Sequence, residues 1–410
     1  MIRKLKFLLI VFFLTGMCID FAFSQKKSKG VSAEQIRQWI EQGEAEWEVS
    51  NYQDAISWFN RAIKADSSIA DVYFKRAKSW VQLKKFENAL KDLLTADSLG
   101  YKDSEHDLYL GVSWFGLQNY KKSLEYLEKF EATAPKDSLQ ASLYVHLAEC
   151  YKELGRKKDA IRAYQKAIEL KPDDADIYFL RANFWVMQEE WKEALKDVEK
   201  VLVLHPRFWK AYKLKAEILF RQGKDQASIE AWQVYFTKQP DKKKISAQDY
   251  SLYAYSLAQL KQYPQAVEAI SKAIALDKEN PEWYFERATY YILQKNYLKA
   301  LQDTEKAIEL DGEDLSYFRQ RAFLYFELKK YEEALSDYVF LTQKDEKNPE
   351  NHYRVAELKF LLQKSPQEYH NDILAAYQLG YPKEKMRPEL QPYTQKKLGK
   401  SKRKRFLGIF

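Results

Sequence analysis

The chain repeats itself with a fixed period. Nine stretches of 34 residues align without internal gaps, beginning at Ile36, Ala70, Ser104, Ala141, Ala175, Trp209, Ala247, Pro281 and Leu315. Three extra residues, Ser138 to Gln140, precede the fourth stretch, and four, Lys243 to Ser246, precede the seventh. The likeness is visible directly: ADVYFKRAKSW starts at Ala70, ADIYFLRANFW at Ala175, PEWYFERATYY at Pro281 and LSYFRQRAFLY at Leu315. A unit this short cannot bury both of its faces alone. It must stack on its neighbours, so the period decides the fold.

Two columns of the alignment hold only small residues. The eighth place carries Gly43, Ala77, Gly111, Ala148, Ala182, Ala216, Ala254, Ala288 and Ala322. The twentieth carries Ala55, Ala89, Ser123, Ala160, Ala194, Ser228, Ala266, Ala300 and Ala334. Small side chains let two helix axes approach until larger neighbours interlock. Such neighbours recur in the fourth place, as Trp39, Tyr73, Tyr144, Tyr178, Tyr212, Tyr250, Tyr284 and Phe318. Each unit therefore reads as two amphipathic helices joined by a short turn. Pro135, Pro172, Pro206 and Pro240 mark the ends of second helices, because Pro cannot continue a helix. Composition agrees: aromatics reach 15%, while 12 Gly and 11 Pro in 410 residues are too few for a strand-and-turn protein.

The period, the aromatic and small columns and the terminal prolines resemble the tetratricopeptide repeat. The units are 36–69, 70–103, 104–137, 141–174, 175–208, 209–242, 247–280, 281–314 and 315–348, about three-quarters of the chain. The resemblance implies an all-α fold, an α-solenoid whose antiparallel helix pairs wind into a right-handed superhelix with first helices lining a concave groove. Residues 349–380 read as a degenerate tenth unit and C-terminal cap. Ser365-Pro366 there suits a helix start and Gly380 a stop. Ser32 with Gln35 reads as a capping box opening the first helix, within a short basic linker and helix start over 25–35. Phe130 and Tyr235 stand where a small residue is usual, which predicts local displacement in the third and sixth units.

One correlation runs between columns. Arg76, Arg181, Arg287 and Arg321 occupy the seventh place of four units. The same four units carry Asp sixteen residues later, as Asp92, Asp197, Asp303 and Asp337. The other five units have neither residue. The spacing predicts four ion pairs bridging the two helices of their own units.

Nothing in the chain points to catalysis. It lacks HExxH, GxSxG, a Walker loop and CxxC, and its five His residues stand at no metal-like spacing. No cofactor, metal, nucleic acid or small-molecule substrate is expected, and the chain reads as a non-enzyme. If the family geometry holds, the fifth, ninth and twelfth places face the groove. They include Phe74, Lys78, Phe115, Phe179, Asn183, Phe220, Phe285, Thr289, Phe323 and Phe326. Such a surface suits a protein or peptide ligand with apolar anchors. The competing reading packs several of these rings between adjacent first helices, and for Phe115, Phe220 and Phe326 the two readings stand level. Some tetratricopeptide co-chaperones clamp a C-terminal carboxylate with an Asn at the sixth place. Here that place holds no Asn in any of the nine units, so recognition of chaperone tails is not expected.

The two ends differ from the middle. Arg3, Lys4 and Lys6, the apolar run Phe7 to Met17, and Ala22-Phe23-Ser24 have the layout of a secretory signal peptide over 1–24. Lipidation at Cys18 is a minor alternative, since Met17 is a poor residue to precede a lipidated Cys. Cleavage after Ser24 would leave Cys150 as the one thiol. Residues 381–410 read as a basic, disordered tail. Pro382, Pro388 and Pro392 interrupt it, and seven of the ten residues Lys396 to Arg405 are basic, among them Lys402, Arg403, Lys404 and Arg405. With Phe406, Leu407, Ile409 and Phe410 behind it, this run suits an anionic membrane surface or an acidic partner.

The reading that follows is an exported tetratricopeptide scaffold of a bacterial periplasm or envelope, capturing protein or peptide in its groove. Two alternatives stand beside it. One is an accessory subunit of an envelope secretion or assembly complex, tethered by the tail. The other is an enzyme with a cryptic groove site.

Overall fold

A computed structural model of the chain describes residues 31–395. Among these residues there is no strand, and no helix is long and apolar enough to cross a membrane. They divide into two compact units, 31–177 and 178–395, each an all-α stack of helix pairs.

The first unit pairs α1 (Ala33–Glu48) with α2 (Tyr52–Ala65), α3 (Ala70–Gln82) with α4 (Phe86–Ser98), α5 (Ser104–Gly116) with α6 (Tyr120–Thr133), and α7 (Ala141–Glu153) with α8 (Lys157–Leu170). The division between the units falls within α9 (Ala175–Met187). The second unit continues through α10 (Trp191–Leu204), α11 (Trp209–Arg221), α12 (Asp225–Lys238), α13 (Ala247–Gln259), α14 (Tyr263–Leu276), α15 (Pro281–Leu293), α16 (Tyr297–Leu310), α17 (Leu315–Glu327), α18 (Tyr331–Lys344), α19 (Pro349–Leu361) and α20 (Pro366–Gln378). Odd-numbered helices are the first of each repeat. In the first unit they also touch one another, α1 with α3, α3 with α5 and α5 with α7, forming one layer.

The small columns are where paired helices meet. A Cβ added at Gly43 would lie 2.5 Å from the Phe59 ring, and one at Gly111 would lie 2.6 Å from Leu127. Where the twentieth place is Ser, its hydroxyl donates to the facing eighth-place carbonyl: Ser123 Oγ to Gly111 O at 2.8 Å, and Ser228 Oγ to Ala216 O at 2.9 Å. Serine is therefore as acceptable as alanine at the crossing, because its polar atom is satisfied. Cys150 extends one of these bonds into the next pair, its thiol donating to Ser123 Oγ at 3.2 Å.

The turn within each repeat is the same ten times over. Place fifteen has positive φ throughout: Ser50, Lys84, Gln118, Gly155, Glu189, Gly223, Lys261, Lys295, Lys329 and Gln363. The following amide reaches back five residues, as in Lys85 N to Trp80 O and Arg156 N to Tyr151 O, and place fifteen itself bonds three residues back. This is the Schellman arrangement, which satisfies the last helical carbonyls. Glycine serves it in only two of the ten turns. The other eight carry a side chain in a left-handed conformation that costs about 1–2 kcal/mol. The repeated bonding holds them there.

The terminal prolines act as expected. α6, α8, α10 and α12 each end two residues before Pro135, Pro172, Pro206 or Pro240. Phe130 and Tyr235 do not unwind their helices. Both rings are buried, and a 3-10 turn follows each helix, at Lys136–Ser138 and Lys242–Lys244. The 3-10 turns lie at the joints where the sequence carries three and four extra residues. At the second of these joints Tyr235 Oη donates to Asp249 at 2.9 Å, and Asp249 closes a capping box with Ser246.

Two expectations need correction. Ser32 does accept from Gln35 N, but the Gln35 side chain turns to Gln38, so only half of the capping box forms. Residues 381–395 are not a disordered tail. Gly380 stops α20 as expected, with φ +99°. Beyond it Tyr381, Met386 and Leu390 are buried against Tyr353 and Tyr369. Tyr381 stacks on Tyr353 at 4.3 Å, and the Arg387 amide donates to Tyr353 Oη at 3.1 Å. The prolines do prevent an α-helix, but 3-10 turns at Lys383–Lys385 and Gln391–Thr394 pack instead. Tyr353 and Glu357 are the fifth and ninth places of α19, and Arg387 reaches both. The segment thus lies where a further first helix would.

Replacing Gly155 by Val should cost about 1–2 kcal/mol, because a β-branched residue is poorly placed at positive φ. Gly155→Lys should cost less, since four other turns carry Lys there. Urea unfolding of the variants checks both. Burial pushes the Cys150 thiol up to about 11, so its thiolate is about a thousandth of the population at pH 8. Iodoacetamide at that pH should leave Cys150 unmodified in the folded chain and alkylate it in urea.

Candidate peptide-binding face

The four Arg–Asp spacings place their side chains in bidentate contact. Nε and one terminal nitrogen of Arg76 donate to Asp92, both at 2.7 Å. Arg181 meets Asp197 at 2.8 and 2.8 Å, Arg287 meets Asp303 at 2.8 and 2.8 Å, and Arg321 meets Asp337 at 2.8 and 2.7 Å. All four carboxylates are buried. The remaining terminal nitrogen can look the other way along the stack: Arg76 donates to Asn60 at 2.5 Å and Arg287 to Ser271 at 3.0 Å, each in the preceding second helix. These Arg residues therefore hold three helices in register and are not available to a ligand.

In the first unit the first-helix face is largely satisfied by itself. Phe74 is only 4% exposed, stacked on Tyr101 and edge-on to Tyr109, so it is a core residue and not a groove anchor. Lys78 sits among the rings of Trp47, Phe74 and Tyr109 and pairs with Glu105 at 3.2 Å. Lys75 lies 2.5 Å from both Glu44 and Asp71. Phe115 packs between Tyr120 and His146 of the next first helix.

The second unit treats the remaining expected residues unevenly. Phe179 packs on Phe208, and Phe285 on Tyr317. Asn183 donates to the Phe179 carbonyl of its own helix at 2.7 Å. Thr289 donates to Phe285 O and accepts from Gln320, so neither polar side chain stands open to a ligand. Phe220 meets Tyr255 of α13, and Phe326 lies under Arg354 of α19. These two twelfth-place rings, like Phe115, bridge adjacent first helices. Phe323 differs, remaining 37% exposed. Lys402, Arg403, Lys404 and Arg405 lie outside the described residues, as does the N-terminal leader reading.

The open part of this face includes residues that the fifth, ninth and twelfth places do not predict. A cleft of about 600 Å³ crosses α9, α11 and α13. Val186, Met187, Trp191, Ile218, Phe220 and Leu252 give it apolar walls, and Glu189, Glu217, Arg221 and Gln248 give it polar ones. It lies beside the Tyr235 joint. Asp249, 1% exposed, fixes the far wall by accepting from Tyr235, Ser246 N and Lys213, the last at 2.7 Å. Met187 is 64% exposed, Tyr255 47% and Leu293 49%. They occupy the ninth or thirteenth places, as does Phe323 at the ninth, and continue an apolar strip along the face.

Two carboxylates interrupt that strip. Glu217 shares Lys213 with Asp249 and stands 3.9 Å from it. Glu286 accepts twice from Ser251 Oγ, at 3.2 and 2.9 Å, and forms no ion pair among the described residues. Burial pushes both carboxyls above the usual range, and Glu282 adds to the effect at Glu286. One signal for the cleft was present in the chain: the four extra residues before α13, next to an oversized Tyr235. Among the described residues no group of three or more His, Cys, Asp or Glu could hold a metal.

Comparison with known proteins agrees with the repeat geometry. Family profiles match residues 40–100 (tetratricopeptide repeat), 73–235 (tetratricopeptide repeat protein 21 ARM repeat) and 262–339 (anaphase-promoting complex, cyclosome, subunit 3). The chain carries tetratricopeptide repeats. It is 28% identical to the Hsp70-Hsp90 organizing protein of Triticum aestivum over 50% of this chain and 41% of that protein. It is 25% identical to tetratricopeptide repeat protein 16 of Mus musculus over 62% and 30%. The matches thus span less than half the length of these relatives. A tetratricopeptide protein fragment from Cytophaga hutchinsonii superimposes with a TM-score of 0.43 at 18% identity, covering 68% of this chain and 98% of that one.

Arg287→Met should weaken local stability by about 3–5 kcal/mol, because Asp303 would be left buried without its partner. The double replacement Arg287→Met with Asp303→Leu should recover most of that loss. Hydrogen exchange of α15 and α16 amides measures both.

Proposed function

We propose that the protein is a non-enzymatic scaffold that captures a protein or peptide on the first-helix face of its second unit. The observation that carries this reading is the apolar strip running from the cleft through Tyr255, Leu293 and Phe323, with carboxylates set into it. Shape and composition suit an extended or helical segment with apolar anchors. The first-unit face, with its closed charge network, is the poorer candidate. The sixth places hold Leu252, Glu286 and Gln320 in α13, α15 and α17, which gives no Asn with which to clamp a chaperone tail, despite the likeness to a chaperone-organizing relative.

The layout of residues 1–24 supports export to a bacterial envelope or periplasm. The charge step at Lys396 supports a second reading, an accessory subunit of an envelope secretion or assembly complex, tethered at an anionic membrane or an acidic partner by its tail. Edman sequencing of the protein from its native host should begin at Gln25, and the denatured protein should titrate one thiol. A start at Met1 with two thiols would refute export by cleavage.

Binding is tested by crosslinked pull-down of the full chain against the variant Met187→Glu with Phe323→Glu. Both residues are exposed, so the fold should survive, as circular dichroism will show. Capture of partners should fall at least tenfold, and equal capture would refute the face.

A further inference from the structure

The charge of this chain is unevenly divided. Residues 1–30 and 396–410 are strongly basic, which leaves 31–395 with 58 acidic and 54 basic side chains. The last fifteen residues carry seven cations and no acid, then close on Phe406, Leu407, Ile409 and Phe410. Their chemistry, cations followed by large apolar groups, is what the open face of the second unit lacks.

On that face Glu286 has only a serine hydroxyl for company, and Glu282 and Glu327 are exposed on the same helices' outer turns. The cations nearby are mostly committed. Arg354 is held by Glu350 and Glu357 at 2.8 Å each, and Lys213 by Asp249 at 2.7 Å. Arg319 faces Asp345 at 3.7 Å, while Arg221 lies beside the Phe220 ring at the cleft. Glu282, Glu286 and Glu327 form no ion pair among the described residues, and the exposed apolar residues Tyr255, Leu293 and Phe323 share helices α13 to α17 with them.

Reach also fits. The described chain ends at Gln395, in the segment packed on α19 and α20. That segment stands one layer beyond α19, so four layers separate it from α13, about 32–40 Å at 8–10 Å per helix layer. Fifteen extended residues span up to about 50 Å. A tail running back along the face would set its cations, which come first, over α17 and α15, and its apolar end beside α13 and the cleft.

We propose that Lys396–Phe410 is an internal ligand of this face, its cations paired with Glu327 and Glu286 and its apolar end seated against Tyr255 and the cleft. The proposal rests on reading the face as a binding surface.

The test uses the full chain with Phe406 replaced by the photocrosslinker p-benzoylphenylalanine, mixed from light and heavy isotope cultures and mapped by mass spectrometry after irradiation. Attachment should fall within one chain, on α11, α13 or the cleft. Its yield should drop at least tenfold in the chain carrying Glu286→Gln and Glu327→Gln, with an unchanged circular dichroism melt. Attachment to other surfaces, attachment only between light and heavy chains, or an unchanged yield in the double variant would each overturn the proposal. If the tail attaches elsewhere while Met187→Glu with Phe323→Glu still abolishes partner capture, the binding face stands and the internal ligand falls.

Discussion

Paired helices approach closely where the eighth place of the first helix faces the twentieth and twenty-fourth of its partner. Gly43 and Gly111 have no room for a methyl group there, and Ser123 and Ser228 fit only because their hydroxyls find the opposite carbonyl. Larger side chains fill the space around that contact, as Phe59 does beside Gly43 and Leu127 beside Gly111. Packing at crystal-like density leaves little freedom to change one of these residues alone.

Polar contacts then set register where packing alone would allow sliding. Four units use a buried Arg–Asp pair, and the Arg of at least two also grips the preceding second helix. Such pairs add little net stability over an apolar equivalent, but they penalise a misplaced neighbour by leaving a buried charge alone. Units with Phe130 or Tyr235 follow a different rule. There a large buried ring stands where the other units carry a smaller side chain, and a 3-10 turn follows the helix. Beside the second joint lies the cleft of about 600 Å³ on the first-helix face.

What could be read from the chain was what depends on a single unit. The helix pairs, their ends and the Arg–Asp spacing recur within 34 residues, so repetition makes them visible. The state of a groove residue depends on the unit beside it. Phe74 and Phe285 share the fifth place with Phe179, yet Phe74 alone is sealed, because Tyr101 and Tyr109 close over it. Phe323 stays open at the ninth place, where Lys78 is enclosed by three rings. Glu286 stands out only because its neighbour across the layer, 35 residues earlier, is Ser251 and not a cation. The cap over 381–395 was hidden for a related reason. Its prolines do exclude an α-helix, but its apolar residues follow no helical period and their partners lie in α19 and α20.

That cap recognises very little of the array it closes. Its contacts are with α19 and α20, chiefly Tyr353, Glu357 and Tyr369, and it makes no demand on how many pairs come before them. A unit duplicated or lost between the two irregular joints and α19 would leave every one of those contacts in place. The length of the stack is therefore free to drift by whole repeats, while its closing end is inherited as one piece.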